Sequence, residues 1–194
     1  MKGRDAGGLT PADAEKIFYS FSNTHHRAAF RLMTNEGLSP EEILGDEGLG
    51  LPGIYIQDVN SKEMTVFVKS RFVKDDIISE RTIPISTESL MAVKDLLFSQ
   101  GFNLTDKGPL FDMTARRLRQ VLAESNITPL MCRQLAIIKM LRTGLAPDEV
   151  RRRLGFIRPR EEIYLSIAGV FLLEPDNFNQ AVADMVWDSV LKKG

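Results

Sequence analysis

The feature that most restricts the fold is a β-rich stretch, residues 53–85, set between long helical patterns on either side. Gly53-Ile54-Tyr55-Ile56-Gln57-Asp58-Val59 reads as a strand and Asn60-Ser61-Lys62 as a turn. Met64-Thr65-Val66-Phe67-Val68 reads as a second strand and Thr82-Ile83-Pro84-Ile85 as a third. Pro84 lacks a backbone N–H, so the third strand belongs at an edge. The fold class that follows is α+β, mainly α-helical with a small three-stranded antiparallel sheet.

The helical segments carry their own start signals. Thr10-Pro11-Ala12-Asp13 offers a cap, a first-turn proline and an acid at the positive helix end, predicting a helix to about Phe21. His25 to Asn35 has an apolar face of Ala28, Ala29, Leu32 and Met33. Ser39-Pro40-Glu41-Glu42 has the form of a capping box and opens a short helix ending near Gly45. After the sheet, helices are expected from Ser86 to about Phe98, Asp112 to Glu124, Thr128 to about Leu141 and Ala146 to Leu154. Two more are expected around 161–172 and 175–191.

The 194 residues fit one domain over 9–172, followed by a C-terminal helix over 173–194 as a candidate assembly segment with Trp187 as an anchor. Cys132 is the only cysteine, so no internal disulfide forms, and a reducing cytoplasm is the simplest compartment. Met1-Lys2-Gly3-Arg4 leads into no apolar run, so no secretory signal is read, and nothing approaches the ~20 apolar residues of a membrane span. His25 and His26 are adjacent on a helix and do not converge, so no metal is expected, and no cofactor is implied.

Charge is unevenly placed. Residues 116–160 hold eleven Lys/Arg against three Asp/Glu, a local net of +8, whereas 1–115 net −5 and 161–194 net −4. A basic middle is either a footprint for phosphates or a set of arginines paired with acidic neighbours, and charge alone favours the pairing.

Several phrases, in order, resemble the catalytic domain of tyrosine recombinases of the phage-integrase type. Leu9-Thr10-Pro11 is similar to that domain's start. Leu32 to Gly45, containing Gly37-Leu38-Ser39-Pro40-Glu41-Glu42, is similar to its first box, a Thr-Gly-Leu-Arg-x-x-Glu segment. Glu80-Arg81-Thr82-Ile83-Pro84-Ile85 resembles the phrase after its lysine hairpin. Thr128-Pro129-Leu130-Met131-Cys132-Arg133 resembles the second box, Pro-His-x-x-Arg. Gly144 followed by Val150-Arg151-Arg152-Arg153-Leu154-Gly155-Phe156 resembles the approach to Leu-Gly-His, and Tyr164 falls near the nucleophile's place. The resemblance covers roughly 9–166. It implies a DNA-acting protein whose tyrosine attacks a phosphate while arginines, histidines and a lysine stabilise the transition state.

Against that pattern the chain departs. Ser39 stands at the first-box arginine, Leu130 at the second-box histidine and Phe156 at the third-box histidine, with Gln134 after Arg133. Arg133 and Tyr164 are the retained catalytic candidates, although Tyr164 lies one residue closer to Phe156 than the pattern has it. Lys69 and Lys74 both compete for the hairpin lysine.

The candidate DNA contacts are Lys69, Arg71, Lys74, Arg117, Arg133, Arg152 and Arg153. Each also has a plainer reading as a solvated or ion-paired group. Arg116 and Arg119 share Arg117's ambiguity, and Asp75-Asp76 weakens the hairpin as a DNA contact. Tyr164 in Glu-Glu-Ile-Tyr-Leu also reads as an amphipathic packing residue. Cys132 reads as a buried core residue or, beside Arg133, as a reactive thiol.

The leading expectation is a recombinase-like protein binding double-stranded DNA, with strand cleavage lost or much reduced. Because the first nine residues cannot supply the family's separate DNA-clamping domain, the chain is expected either to bind weakly or to work with a partner; separately, the resemblance implies a homo-oligomer joined through the C-terminal helix. The alternatives are a divergent active recombinase, a helix-turn-helix-like regulator built on 144–155, and a protein-interaction module without nucleic acid.

Overall fold

In this computed structural model the residues described are 9–46, 48, 50–69, 71–73, 76–78 and 80–155, with 71–73 and 76–78 as backbone alone. The first helices form where the caps stand. In α1 (Pro11–Ser20) Thr10 Oγ1 accepts from the Asp13 amide, and in α2 (Thr24–Asn35) Asn23 caps through the His25 amide. In α3 (Pro40–Leu44) Ser39 and Glu42 make the full reciprocal capping box. α2 is the centre of the core: Ala28, Ala29, Phe30, Leu32 and Met33 are all fully buried. It packs chiefly on α4 (Thr87–Ser99) and α6 (Pro129–Arg142).

Arg31 is buried within that apolar helix. Two bonds of 2.5 and 2.7 Å to Glu15 and a position 3.9 Å from the Phe18 ring centroid compensate its charge.

The sheet differs from expectation at its first strand. Gly53–Val59 is not one strand: β1 is only Val59–Asn60, preceded by a turn of 3-10 helix at Ile56–Asp58. Local and distant groups take the backbone there. The Tyr55 amide donates to Asp58 Oδ2 at 2.8 Å, the Ile56 amide to the Gly108 carbonyl, and the Leu110 amide to the Ile54 carbonyl. The three-stranded antiparallel sheet has the order β1-β2-β5, with β2 (Thr65–Val68) central and β5 (Arg81–Pro84) at the edge. Val66 sits opposite both Val59 and Ile83, which aligns the buried face. Between β2 and β5 a second, two-stranded hairpin forms from β3 (Arg71–Val73) and β4 (Asp76–Ile78).

The helix that Asp112-Met113-Thr114 is expected to open forms with the last of these as its cap: α5 is Ala115–Glu124, with Thr114 accepting from the Arg117 amide. α7 (Pro147–Arg153) closes the described part and packs against α6. Leu154, just beyond it, meets Gly37, which has φ +72°. Among the described residues no helix is long and apolar enough to cross a membrane. The helices expected over 161–172 and 175–191, and with them the boundary at 172, lie outside the described residues.

Candidate nucleic-acid interface

The capping box that starts α3 also builds the charged centre of the site. Glu42 reaches back so that its Oε2 accepts from the Ser39 amide at 2.8 Å, while Ser39 Oγ accepts from the Glu42 amide at 3.3 Å. This turn buries the Glu42 side chain completely, at 0% exposure, and aims it between two arginines. Arg81 Nη2, on β5, lies 2.9 Å from Oε1, and Arg133 Nη2, on α6, lies 3.5 Å from Oε2. Burial alone would raise the Glu42 pKa; Arg81 first, then Arg133 and the Ser39 amide, outweigh it and hold the carboxyl below its ordinary value.

Each arginine makes a second bond. Arg133 Nε donates to the Gly37 carbonyl at 3.0 Å, and Arg81 Nε donates to the Arg153 carbonyl at 2.7 Å. Ser39, Glu42, Arg81, Arg133 and the end of α7 therefore converge. Glu42 and Arg81 were not among the sequence's candidate residues. Their signal was present in the first-box Glu and the Glu-Arg-Thr-Ile-Pro phrase, but nothing local paired them.

The other candidates separate into different surroundings. Lys69 Nζ lies 2.6 Å from Asp58 Oδ2 and 3.7 Å from the Tyr55 ring centroid, and it donates to the Gly53 carbonyl at 3.3 Å. It is thereby pinned to the 3-10 turn. Arg71 is described by its backbone in β3, and Lys74 lies outside the described residues. Arg117 is exposed in the first turn of α5 beside Arg116, and Arg119 pairs with Glu41. Two cations at the positive end of a helix oppose its dipole, by roughly 0.3–1 kcal/mol each.

On α7 the three arginines pair locally with two acids. Arg151 pairs with Asp148 at 3.3 Å, and Glu149 takes both Arg152 at 2.9 Å and Arg153 at 3.1 Å. These cations suit the helix's negative end. Arg152, at 68% exposure, still reaches solvent.

At the second box, Leu130 projects outward at 59% exposure from the first turn of α6. Cys132 is fully buried, and burial pushes its thiol up to about 12, so the packing reading holds over the reactive one. Phe156 and Tyr164 lie outside the described residues.

His25 and His26 have different surroundings. His25 Nδ1 accepts from the Asp112 amide at 3.4 Å and its Nε2 lies 3.1 Å from Gln100, whereas His26 packs against Phe21. Burial lowers both pKa values. Among the described residues no group of three or more His, Cys, Asp or Glu could hold a metal ion. A cavity of about 400 Å³ opens between β5, α4 and α6, lined in part by Arg31, Glu36, Lys139 and Arg153.

No protein-family model and no curated protein matches the sequence. Solved structures are. The chain is similar to XerA recombinase with a TM-score of 0.62 and 15% identity, covering 89% of this chain and 66% of that one. It is similar to the Tn1549 transposon integrase in complex with transposon right-end DNA, with a TM-score of 0.56 and 16% identity, covering 98% and 68%. A structure of the same integrase with a circular-intermediate DNA gives a TM-score of 0.54 and 17% identity, covering 86% and 62%. The chain thus has the fold of a tyrosine recombinase catalytic domain and spans about two thirds of the length of these structures.

Proposed function

We propose that this chain is a recombinase- or integrase-like protein that binds double-stranded DNA and whose strand-cleaving activity is lost or much reduced. The observation that carries the reading is the composition of the charged centre. Arg133 stands on α6 with its guanidinium held by Gly37 and Glu42, and on the resemblance read from the sequence Ser39 and Leu130 would stand where the family has a cation and a proton donor. The Ser39 hydroxyl is engaged by the Glu42 amide, and Leu130 has no proton to give. A phosphorane stabilised by so few positive groups forms slowly: one missing donor commonly costs roughly 10²–10³ in rate. DNA affinity has weaker requirements, since exposed cations such as Arg117 and Arg152 contribute through the phosphate backbone without chemistry.

Lys69, Arg71, Lys74 and Arg153 belong to the same proposed surface, and Tyr164 to the vestigial reaction centre. Residues 173–194 are proposed as the contact for a second copy, in a reducing cytoplasm.

The test is fluorescence anisotropy of a labelled duplex across a salt series, for wild type and Arg133→Ala, with a suicide substrate alongside. Binding that falls steeply with salt, weakens in the variant and leaves no covalent adduct is the expected result. An adduct that disappears in Tyr164→Phe would establish the divergent active enzyme instead. No binding at low salt would favour a protein partner, the reading that the ion-paired arginines of α7 support.

A further inference from the structure

Glu42 is bonded to two arginines that lead to different parts of the molecule. Arg133 leads to the surface, with 20% of its side chain exposed. Arg81 leads inward: its side chain is 8% exposed, and its Nε holds the Arg153 carbonyl at 2.7 Å, at the last turn of α7. Residue 154, directly after that carbonyl, packs on Gly37, whose own carbonyl takes Arg133 Nε. The two arginines therefore bracket one carboxylate and one junction. A buried carboxylate that loses one cation still has the other; losing both leaves it as an uncompensated buried charge. Sharing of this kind makes the two arginines energetically dependent on each other.

We propose that Arg81 is a positioning residue and Glu42 a shared counter-ion, through which engagement of Arg133 by an external phosphodiester is linked to the docking of the α7 end. The phosphodiester half rests on the DNA-binding reading above. When a phosphate draws on Arg133, Glu42 is left to Arg81, and Arg81 holds the Arg153 carbonyl in a more fixed place. A static brace would make Arg81 important for folding but would transmit nothing.

The first test needs no DNA. Urea midpoints are measured for Arg81→Gln, Arg133→Gln and the double variant, in the wild-type and Glu42→Gln backgrounds. The expected result is a double shift larger than the sum of the single shifts, with the excess gone in Glu42→Gln. Additive shifts overturn the shared counter-ion.

The second test is hydrogen exchange of 147–155 with and without a short duplex whose binding is confirmed by anisotropy. Exchange is expected to slow several-fold in wild type. That slowing should disappear in Arg81→Lys, whose single ammonium cannot span Glu42 and the Arg153 carbonyl, while the duplex stays bound. Slowing that persists in Arg81→Lys means that α7 touches DNA directly, and overturns the relay. If no duplex binds to wild type, the DNA reading falls together with the phosphodiester half, and the additivity cycle alone decides the shared counter-ion.

Discussion

Leu154 closes over Gly37: a Cβ built on Gly37 would lie 2.4 Å from Leu154 Cδ2, and Gly37 has φ +72°. The close approach joins the turn after α2 to the end of α7, and it leaves the Gly37 carbonyl free to accept from Arg133. Gly37→Ala is therefore expected to destabilise the fold by about 2 kcal/mol. The left-handed backbone contributes about 1 kcal/mol of this and the crowding of a buried leucine the rest. Urea unfolding measures the loss; an unchanged midpoint would mean that α7 does not seat here.

Glu36 gives the fold a pH dependence. Burial is the largest influence and raises its carboxyl from 4.5 to about 7, against bonds from the Ser86 amide and Ser89 hydroxyl at 2.8 Å each. The folded state thus holds a proton that the unfolded state releases near pH 4.5. This contribution to stability is fully present below pH 4.5 and is lost as pH rises through about 7, an effect of about 3 kcal/mol. Glu36→Gln keeps an acceptor for the Ser86 amide and cannot titrate. It should equal wild type near pH 4.5 and be the more stable of the two at pH 8. Parallel stability curves for the two proteins would contradict the assignment.

The Lys69 side chain, bonded to Asp58 and lying on Tyr55, acts on the DNA-free protein. Lys69→Ala should lower stability by about 1 kcal/mol, less at high salt, because the pair is only partly shielded from solvent. A lysine serving only as a DNA contact would leave the midpoint of the free protein where it is.

Cys132 should be inert to a thiol reagent at pH 8 in the native state and react once in strong denaturant. Full burial denies access, and the pKa pushed up to about 12 leaves almost no thiolate. Prompt labelling of native protein would require α6 to open locally.

Much of the fold was legible because it follows local chemistry. Ser39-Pro40-Glu41-Glu42 and Thr128-Pro129 each specify a helix start within four residues, and both caps form as read. Pro84 put β5 at an edge for the lack of one N–H, and β5 is an edge. Gly53–Val59 was misread because its apolar residues satisfy a strand pattern, whereas the backbone is claimed by the Asp58 side chain and by Gly108, far along the chain.

The charged centre shows the same division. The sequence alone determined the order of helices, sheet and helices, the caps, and which residue types stand in each recombinase-like phrase, because these depend on neighbours a few residues away. Tertiary structure decided which charges meet. Glu42 takes Arg81 across 39 positions and Arg133 across 91, while Arg152 and Arg153 turn to Glu149 beside them. A buried carboxylate selects whichever cations the packed elements bring within reach, and only the folded chain brings β5, α3 and α6 to one point.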